Sequence, residues 1–560
     1  MNALARSMKR AAAAALFVFC GAAAAQLLGP EIDTGRVEKQ AVVAQRFMVA
    51  AADPQAVAAG LEILRAGGSA ADAAIAVQLV LGLTEPQSSG LGGGAFVLHW
   101  SEREKRVRSY DGRESAPAAA QPDRFLDRRG NPEEFMLAVA SGRAVGVPGV
   151  PALLERLHRE HGRLPWARLF EPAIRLAEAG FAKTRRLSRL LEREQLLGED
   201  PAARVLFYSG PRVVNQDYAA SLRTLATKGA DAFYLGPIAA DIVRAVRTHA
   251  RPGDMTLADL ASYRVERREP VCGGYRAYRL CGMGPPSSGG IGILQILGLL
   301  ERSGFAAAKP ESAEAVHLFS EAARLAYADR LRYVADPAFV RQPVAQLLDA
   351  KYLDARAKLI GERSMIFALP GELDAEAAGT SHLSVVDAAG DAVAMTSTIE
   401  HAFGSRILVR GFLLNNQLTD FGFVPSIAGR PAVNRVEPGK RPRSSMSPTF
   451  VFERDGSLKM LVGSPGGLPI INYLAKTLVA TLDWGMDIQA AISLPNFGST
   501  NGPTFLERGT GYEDLGDALA ERGHVLNYTP LTSGLHGIER IPGGWRGAAD
   551  PRREGVAAGD

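Results

Sequence analysis

Thr380 follows Gly379 and precedes Ser381 and His382 at the mouth of a β-forming run, Leu383-Ser384-Val385-Val386. A threonine hydroxyl is a poor nucleophile until a base accepts its proton, and a preceding glycine leaves its approach unobstructed. Alone, a threonine that opens a strand is simply a good β former. Further along, Gly463-Ser464-Pro465-Gly466-Gly467 follows an apolar run. Two unencumbered N–H groups on such a turn can stabilise charge developing on a carbonyl, one donor being worth roughly 3 kcal/mol of barrier. A flexible turn after a strand is the competing reading. Other chemistries lack their patterns: there is no G-x-x-x-x-G-K-[ST] loop, no H-E-x-x-H helix and no G-x-S-x-G elbow. Gly90 to Gly94 precedes a strand rather than the helix of a dinucleotide site. His158 and His161 can share a helical face, but the nine histidines are scattered without a cysteine or acidic cluster. No metal or cofactor is expected.

The elements that would position these residues are legible in outline. Asp53-Pro54 is an N-cap with proline at the first helical position, and the face Val57, Leu61, Leu64 runs to the stop Gly67-Gly68. Ser69 opens a second, alanine-rich helix ending near Glu85-Pro86. Ala95 to Trp100 and Val107 to Tyr110 are predicted as paired strands. Helices are predicted over Pro151 to His158, Pro172 to Ala179 and Ala313 to Ala328. From about Gly379 the texture turns to strands: Ser384-Val385-Val386 and Ala392 to Met395 flank a polar turn, as in a hairpin, and Leu458 to Val462 forms another strand. Helices on mostly antiparallel sheets make an α+β layered protein.

The chain has 560 residues, 64 basic against 60 acidic side chains, 47% hydrophobic residues and 3 cysteines. That length and apolar content can bury a core, and a net charge of +4 gives no footprint for nucleic acid. Arg6, Lys9 and Arg10, the apolar run Ala11 to Ala22 and the exit Ala23-Ala24-Ala25 read as a signal peptide over residues 1–25, too short to anchor in a bilayer. Its removal leaves a net charge of +1. An exported protein, periplasmic or secreted, is expected. Cys272 and Cys281 flank Gly273-Gly274; a hairpin there would permit a structural disulfide, which the sequence leaves open.

Together these motifs resemble the γ-glutamyltransferase family of N-terminal-nucleophile hydrolases. The resemblance covers nearly all of the mature chain. It rests on Asp53-Pro54, Gly67 to Ala74, Glu85-Pro86, Ser89 to Gly94, Asp111-Gly112-Arg113-Glu114-Ser115-Ala116-Pro117, Pro285 to Gly290, Ala326 to Arg330, Gly379 to Asp387, Arg441 to Thr449 and Gly463 to Gly467. It implies a four-layer αββα sandwich and a precursor that cuts itself between Gly379 and Thr380, giving a large chain 26–379 and a small catalytic chain 380–560. Cleavage would create the catalytic base: the freed α-amine, with a pKa near 8, can take the hydroxyl proton, whereas the amide of the intact chain cannot.

The resemblance also implies roles. Thr380 would be the nucleophile, Thr398 its hydrogen-bonding neighbour and an aid to processing, and Gly466 and Gly467 the oxyanion hole. Arg113 would pair with the carboxylate of a glutamyl head group, helped by Ser444 and Ser445, while Gln417 and Asp420 would take its ammonium. Singly, Arg113 reads as a solvated charge and Asp420 as a turn cap; the joint match gives them weight. Two departures stand out. Glu400 replaces an asparagine that contacts the ammonium in relatives, leaving three options: a firmer grip on the ammonium, a more cationic substrate, or neutralisation of Arg406. The stretch between Asp420 and Ser444 is shorter than in some bacterial relatives and lacks a lid tyrosine, which implies a more open cleft. The leading expectation is hydrolysis of glutathione or other γ-glutamyl amides, with transfer to amino acid or peptide acceptors. The alternatives are an acylase that removes a glutaryl-type side chain from a β-lactam nucleus, whose substrate lacks the ammonium, and an exported binding protein that never matures.

Overall fold

The computed structural model describes residues 32–369, 379–427 and 429–560. The expected signal peptide, residues 1–25, lies outside them. Fourteen strands make two seven-stranded sheets. In chain order these are β1 (Val42–Ala44), β2 (Met48–Ala51), β3 (Gly94–Ser101), β4 (Arg106–Gly112), β5 (Glu266–Arg268), β6 (Val271–Tyr275), β7 (Tyr278–Gly282), β8 (Gly379–Val386), β9 (Ala392–Glu400), β10 (Thr449–Phe452), β11 (Leu458–Gly463), β12 (His536–Ile541), β13 (Gly544–Ala549) and β14 (Val556–Gly559). One sheet runs β14-β2-β8-β9-β3-β4-β5 and the other β1-β13-β12-β11-β10-β7-β6. Neighbours within both pair antiparallel.

Side chains alternate along a strand, and β3 shows how the layers arise. Phe96, Leu98 and Trp100 face Phe450, Phe452, Leu461 and Ile538 of the second sheet. Ala95 and Val97 face the helices α1 (Pro54–Arg65), α2 (Ala70–Thr84) and α3 (Val150–His161). Both faces are apolar because both are covered. The second sheet is covered by α4 (Gly289–Glu301), α5 (Ala313–Tyr333) and α6 (Ile470–Leu482). The result is the expected αββα sandwich.

Local signals explain the elements flanking the site. Asp53 accepts from the N–H groups of Gln55 and Ala56 at the start of α1, and Ser69 with Asp72 forms a reciprocal capping box on α2. All of α2 is buried, which its alanine content permits by letting neighbours approach closely. The helix expected to end at Ala328 continues to Tyr333, because the residues beyond it carry neither glycine nor proline to stop it. Cys272 and Cys281 sit directly opposite each other in β6 and β7 and are disulfide-bonded, which closes the question left open by sequence.

Candidate active site

Thr380 lies at the start of β8, still joined to Gly379. In the ladder with β9, Gly379 opposes Glu400 and Ser381 opposes Ser397. Thr398 and Ile399 therefore both lie across from the single residue Thr380, a β-bulge on the partner strand. Alternation along β8 puts Thr380 on the inter-sheet face that it shares with Val386, while Leu383 and Val385 turn to the helices. Thr380 is 1% exposed. The main chain of Thr398 is fixed from behind by Gly93, where a Cβ would stand 2.0 Å from the Thr398 carbonyl oxygen. Only glycine fits there, which explains part of the run Gly92-Gly93-Gly94. Thr398 Oγ1 accepts from the Glu400 N–H at 2.7 Å, and Glu400 adopts φ 78°, a left-handed conformation uncommon for a residue with a side chain.

Thr380, Thr398, Arg113, Gln417, Asp420, Ser444, Ser445 and Gly467 line one cavity of about 10 Å³, room for roughly one water. The structure thus brings together eight of the ten residues singled out from sequence; Gly466 adjoins Gly467, and Glu400 stands behind the wall beside Asn416. Among the described residues the space beside Thr380 is this small cavity rather than a wide cleft. Within the short stretch after Asp420, Phe421 is buried and Phe423 stacks on Phe125 at 4.6 Å and on Phe135 at 6.1 Å.

Charge concentrates on one wall. The Arg113 guanidinium is buried, donates to Asp420 and to the Arg443 carbonyl at 3.1 Å, and lies 3.8 Å from Glu114. Gln417 Nε2 also donates to Asp420, at 2.7 Å. The two residues expected to hold opposite ends of a ligand thus hold each other. Burial pushes the Glu114 carboxyl up to about 8, against the pull of Arg113. Burial, reinforced by Asp420, raises Glu400 well above the usual carboxylate range. Glu400 receives a hydrogen bond from Asn416. It does not neutralise Arg406, which pairs with Glu194 at 2.9 Å; that option is removed.

Ser444 and Ser445 are set by a clamp. Ser288 donates through both its N–H and its hydroxyl to the Ser444 carbonyl, at 2.8 and 2.7 Å, and Ser287 Oγ donates to the Met446 carbonyl at 2.7 Å. Arg330 reaches from α5 to Ser288 Oγ at 2.7 Å and Ser445 Oγ at 2.9 Å. Across the cavity, Gly466 and Gly467 turn the chain from β11 toward α6 with φ 132° and 65°. A Cβ on Gly466 would meet the Tyr473 ring at 2.6 Å. Among the described residues, neither buried N–H finds a protein acceptor, an arrangement rare for buried amides. A hydroxyl, two amide donors and an acid-rich pocket with one guanidinium suit acyl transfer from a zwitterionic amide.

The sequence profile of the Gamma-glutamyltranspeptidase family matches residues 56–560. The chain belongs to that family. It is 35% identical over 551 residues to the glutathione hydrolase proenzyme of Bacillus subtilis (strain 168), covering 93% of this chain and 92% of that protein. It is 36% identical over 547 residues to the acylase ACY 1 proenzyme of Pseudomonas sp. (strain V22), covering 94% and 96%. The crystal structure of a cephalosporin acylase from Bacillus halodurans superposes with a TM-score of 0.83 at 28% identity, covering 95% of this chain and 99% of that one. This member of the γ-glutamyltranspeptidase family is an enzyme with the family's α+β sandwich.

Three participants escaped the sequence reading. Glu114 stood inside the motif that carries Arg113 but received no role, since burial cannot be read from one residue. Arg330 and Asn416 likewise stood in or beside quoted motifs, and only the fold shows their reach. His158 and His161 diverge: His158 meets the Leu164 carbonyl, while His161 stacks on His99 at 3.6 Å. A different cluster does assemble, with ligand atoms of His317, Glu321 and His524 within 4.8 Å of one another. Its ring nitrogens are already engaged, in a chain from Thr504 through His524 and His317 to the Gly361 carbonyl, with steps of 2.7, 2.8 and 2.8 Å. Glu321 is committed to Arg324, Ser364 and the Met365 N–H. This arrangement is complete as hydrogen bonds.

Proposed function

We propose that the protein is an exported γ-glutamyltransferase with glutathione hydrolase activity, matured by cleavage between Gly379 and Thr380 into chains 26–379 and 380–560. The observation that carries this reading is the single cavity shared by Thr380, Gly467, Arg113 and Asp420. Cleavage converts the Thr380 amide to an amine that accepts the hydroxyl proton. Thr380 Oγ then attacks the γ-carbonyl of the donor, the Gly466 and Gly467 N–H groups stabilise the oxyanion, and the proton passes to the departing amine. Water or an amino acid or peptide amine completes the turnover. Arg113, with Ser444 and Ser445, takes the donor's α-carboxylate; Asp420, Gln417 and Glu400 take its α-ammonium. Ligand entry would exchange the internal Arg113–Asp420 pair for one partner each. The names of its relatives as proenzymes support maturation. The basic and apolar N-terminal 25 residues support export to the periplasm, and among the described residues no helix is long and apolar enough to cross a membrane.

The likeness to acylases favours a second reading, a glutaryl-type acylase using the same nucleophile. Three buried acids around one guanidinium weigh against it, because a glutaryl group brings no positive charge to offset them. Matched γ-glutamyl and glutaryl anilides separate the two: the first should turn over faster, and the reverse order would overturn the proposal. N-terminal sequencing should find Thr380 at the head of the small fragment, and Thr380→Ala should remain one chain without activity.

A further inference from the structure

Around the head-group pocket, three carboxyl groups share one guanidinium. Asp420 takes the direct contact with Arg113, Glu114 lies 3.8 Å from it with neither carboxyl oxygen hydrogen-bonded, and Glu400 Oε1 likewise has no hydrogen-bond partner. Glu114 and Glu400 are both fully buried. An isolated buried carboxylate costs several kcal/mol, so such groups are retained neutral unless a cation arrives. The other charged side chains around the pocket are engaged elsewhere, Arg330 with the Ser288 and Ser445 hydroxyls. Arg443 turns its Nη1 to the carbonyls of residues 330, 331 and 334, and Arg406 is held by Glu194. Arg441 and Arg268 are committed to Asp111, and His401, next in the chain, faces Arg406 at 3.1 Å. After maturation the Thr380 amine would join this set from β8.

Resting on the γ-glutamyl reading, we propose that the α-ammonium of the donor enters by exchange with a proton. Glu400 gives its proton to solvent as the ammonium arrives, and the new carboxylate pairs with that ammonium. One positive charge enters the pocket and one leaves. Glu400 stands directly behind the wall that the ammonium meets: its main chain is held by the lining residue Thr398, and its side chain by Asn416, one residue from the lining Gln417. The left-handed backbone at Glu400 ends the strand there and turns the chain out of the ladder. Its burial-raised carboxyl agrees with a neutral resting state. Because protons and donor compete for the same oxygen, KM for a γ-glutamyl donor should rise about tenfold for each pH unit below the Glu400 titration, while a glutaryl donor should show no such term.

The test is calorimetric titration of the mature enzyme with L-glutamate in buffers of differing ionisation enthalpy, with glutarate as the matched ligand lacking the ammonium. Release of close to one proton with glutamate and none with glutarate is expected. Glu400→Asn should bind glutamate with that release abolished, and Glu114→Gln should retain it. Glutamate binding without proton release, or equal release with glutarate, would overturn the exchange. Full release from Glu400→Asn would overturn the assignment to Glu400. Should Glu400→Asn fail to mature, the wild-type comparison of the two ligands still decides. No binding of glutamate at all would overturn the γ-glutamyl reading itself and this inference with it.

Discussion

In the proposed mechanism Arg113 and the glycine pair act through different parts of the reaction, so their variants should separate. Arg113→Ala removes charge-assisted hydrogen bonds worth about 1.5–3 kcal/mol, so kcat/KM for a γ-glutamyl anilide should fall by roughly ten- to 150-fold, mostly through KM. Cleavage at Thr380 should persist, since Arg113 lies on the head-group wall and Glu400 and Thr398 stand opposite the cut; an uncut Arg113→Ala chain would refute that division. Gly466→Ala meets the Tyr473 ring at 2.6 Å and a φ of 132° that disfavours a side chain. Moving one oxyanion donor should lower kcat by about 10²–10³-fold with KM little changed. Steady-state kinetics on purified mature protein checks both.

The strands carry their own titration. His536 opens β12 fully buried, with neither ring nitrogen hydrogen-bonded, and burial pushes its pKa down to about 3. The unfolded chain binds this proton near pH 6.5, so between about 6.5 and 3 the unfolded state holds more protons and stability falls as pH drops, by up to about 1.4 kcal/mol per unit. His536→Leu should make denaturant-derived stability less steep in that window, though buried His382, shifted the same way, keeps the slope from vanishing. An unchanged slope would mean that His536 titrates normally. The disulfide joins facing residues of the hairpin β6–β7, and removing it with Cys272→Ala should cost about 2–3 kcal/mol, read as a lower unfolding midpoint in denaturant with folding retained.

At the scale of the molecule, the proposed cut passes through a shared sheet. β8 pairs with β2 on one side, and β9 pairs with β3 on the other, so the small chain supplies central strands to a sheet whose neighbours belong to the large chain. The second sheet is mixed likewise, with β10 beside β7 and β13 beside β1. Cutting one peptide bond removes none of these ladders. The mature enzyme should migrate as one species in native gel filtration and separate into two chains only under denaturing conditions; fragments that part without denaturant would contradict the shared sheets.

How much of this was legible beforehand follows from which forces are local. Caps at Asp53 and Ser69, the strand alternation around Phe96 and Val385, and the order of motifs are written in adjacent residues, so the sequence by itself determined the elements, the layered class and most of the residues that come to share one cavity. Which carboxyls are buried is decided by contacts between segments hundreds of positions apart. Only the tertiary structure paired Arg113 with Asp420, sent Arg406 to Glu194, left both Glu114 oxygens and Glu400 Oε1 without donors, and stacked Phe423 on Phe125. Charge and packing act through space, and separation along the chain does not report distance once the sheets have formed.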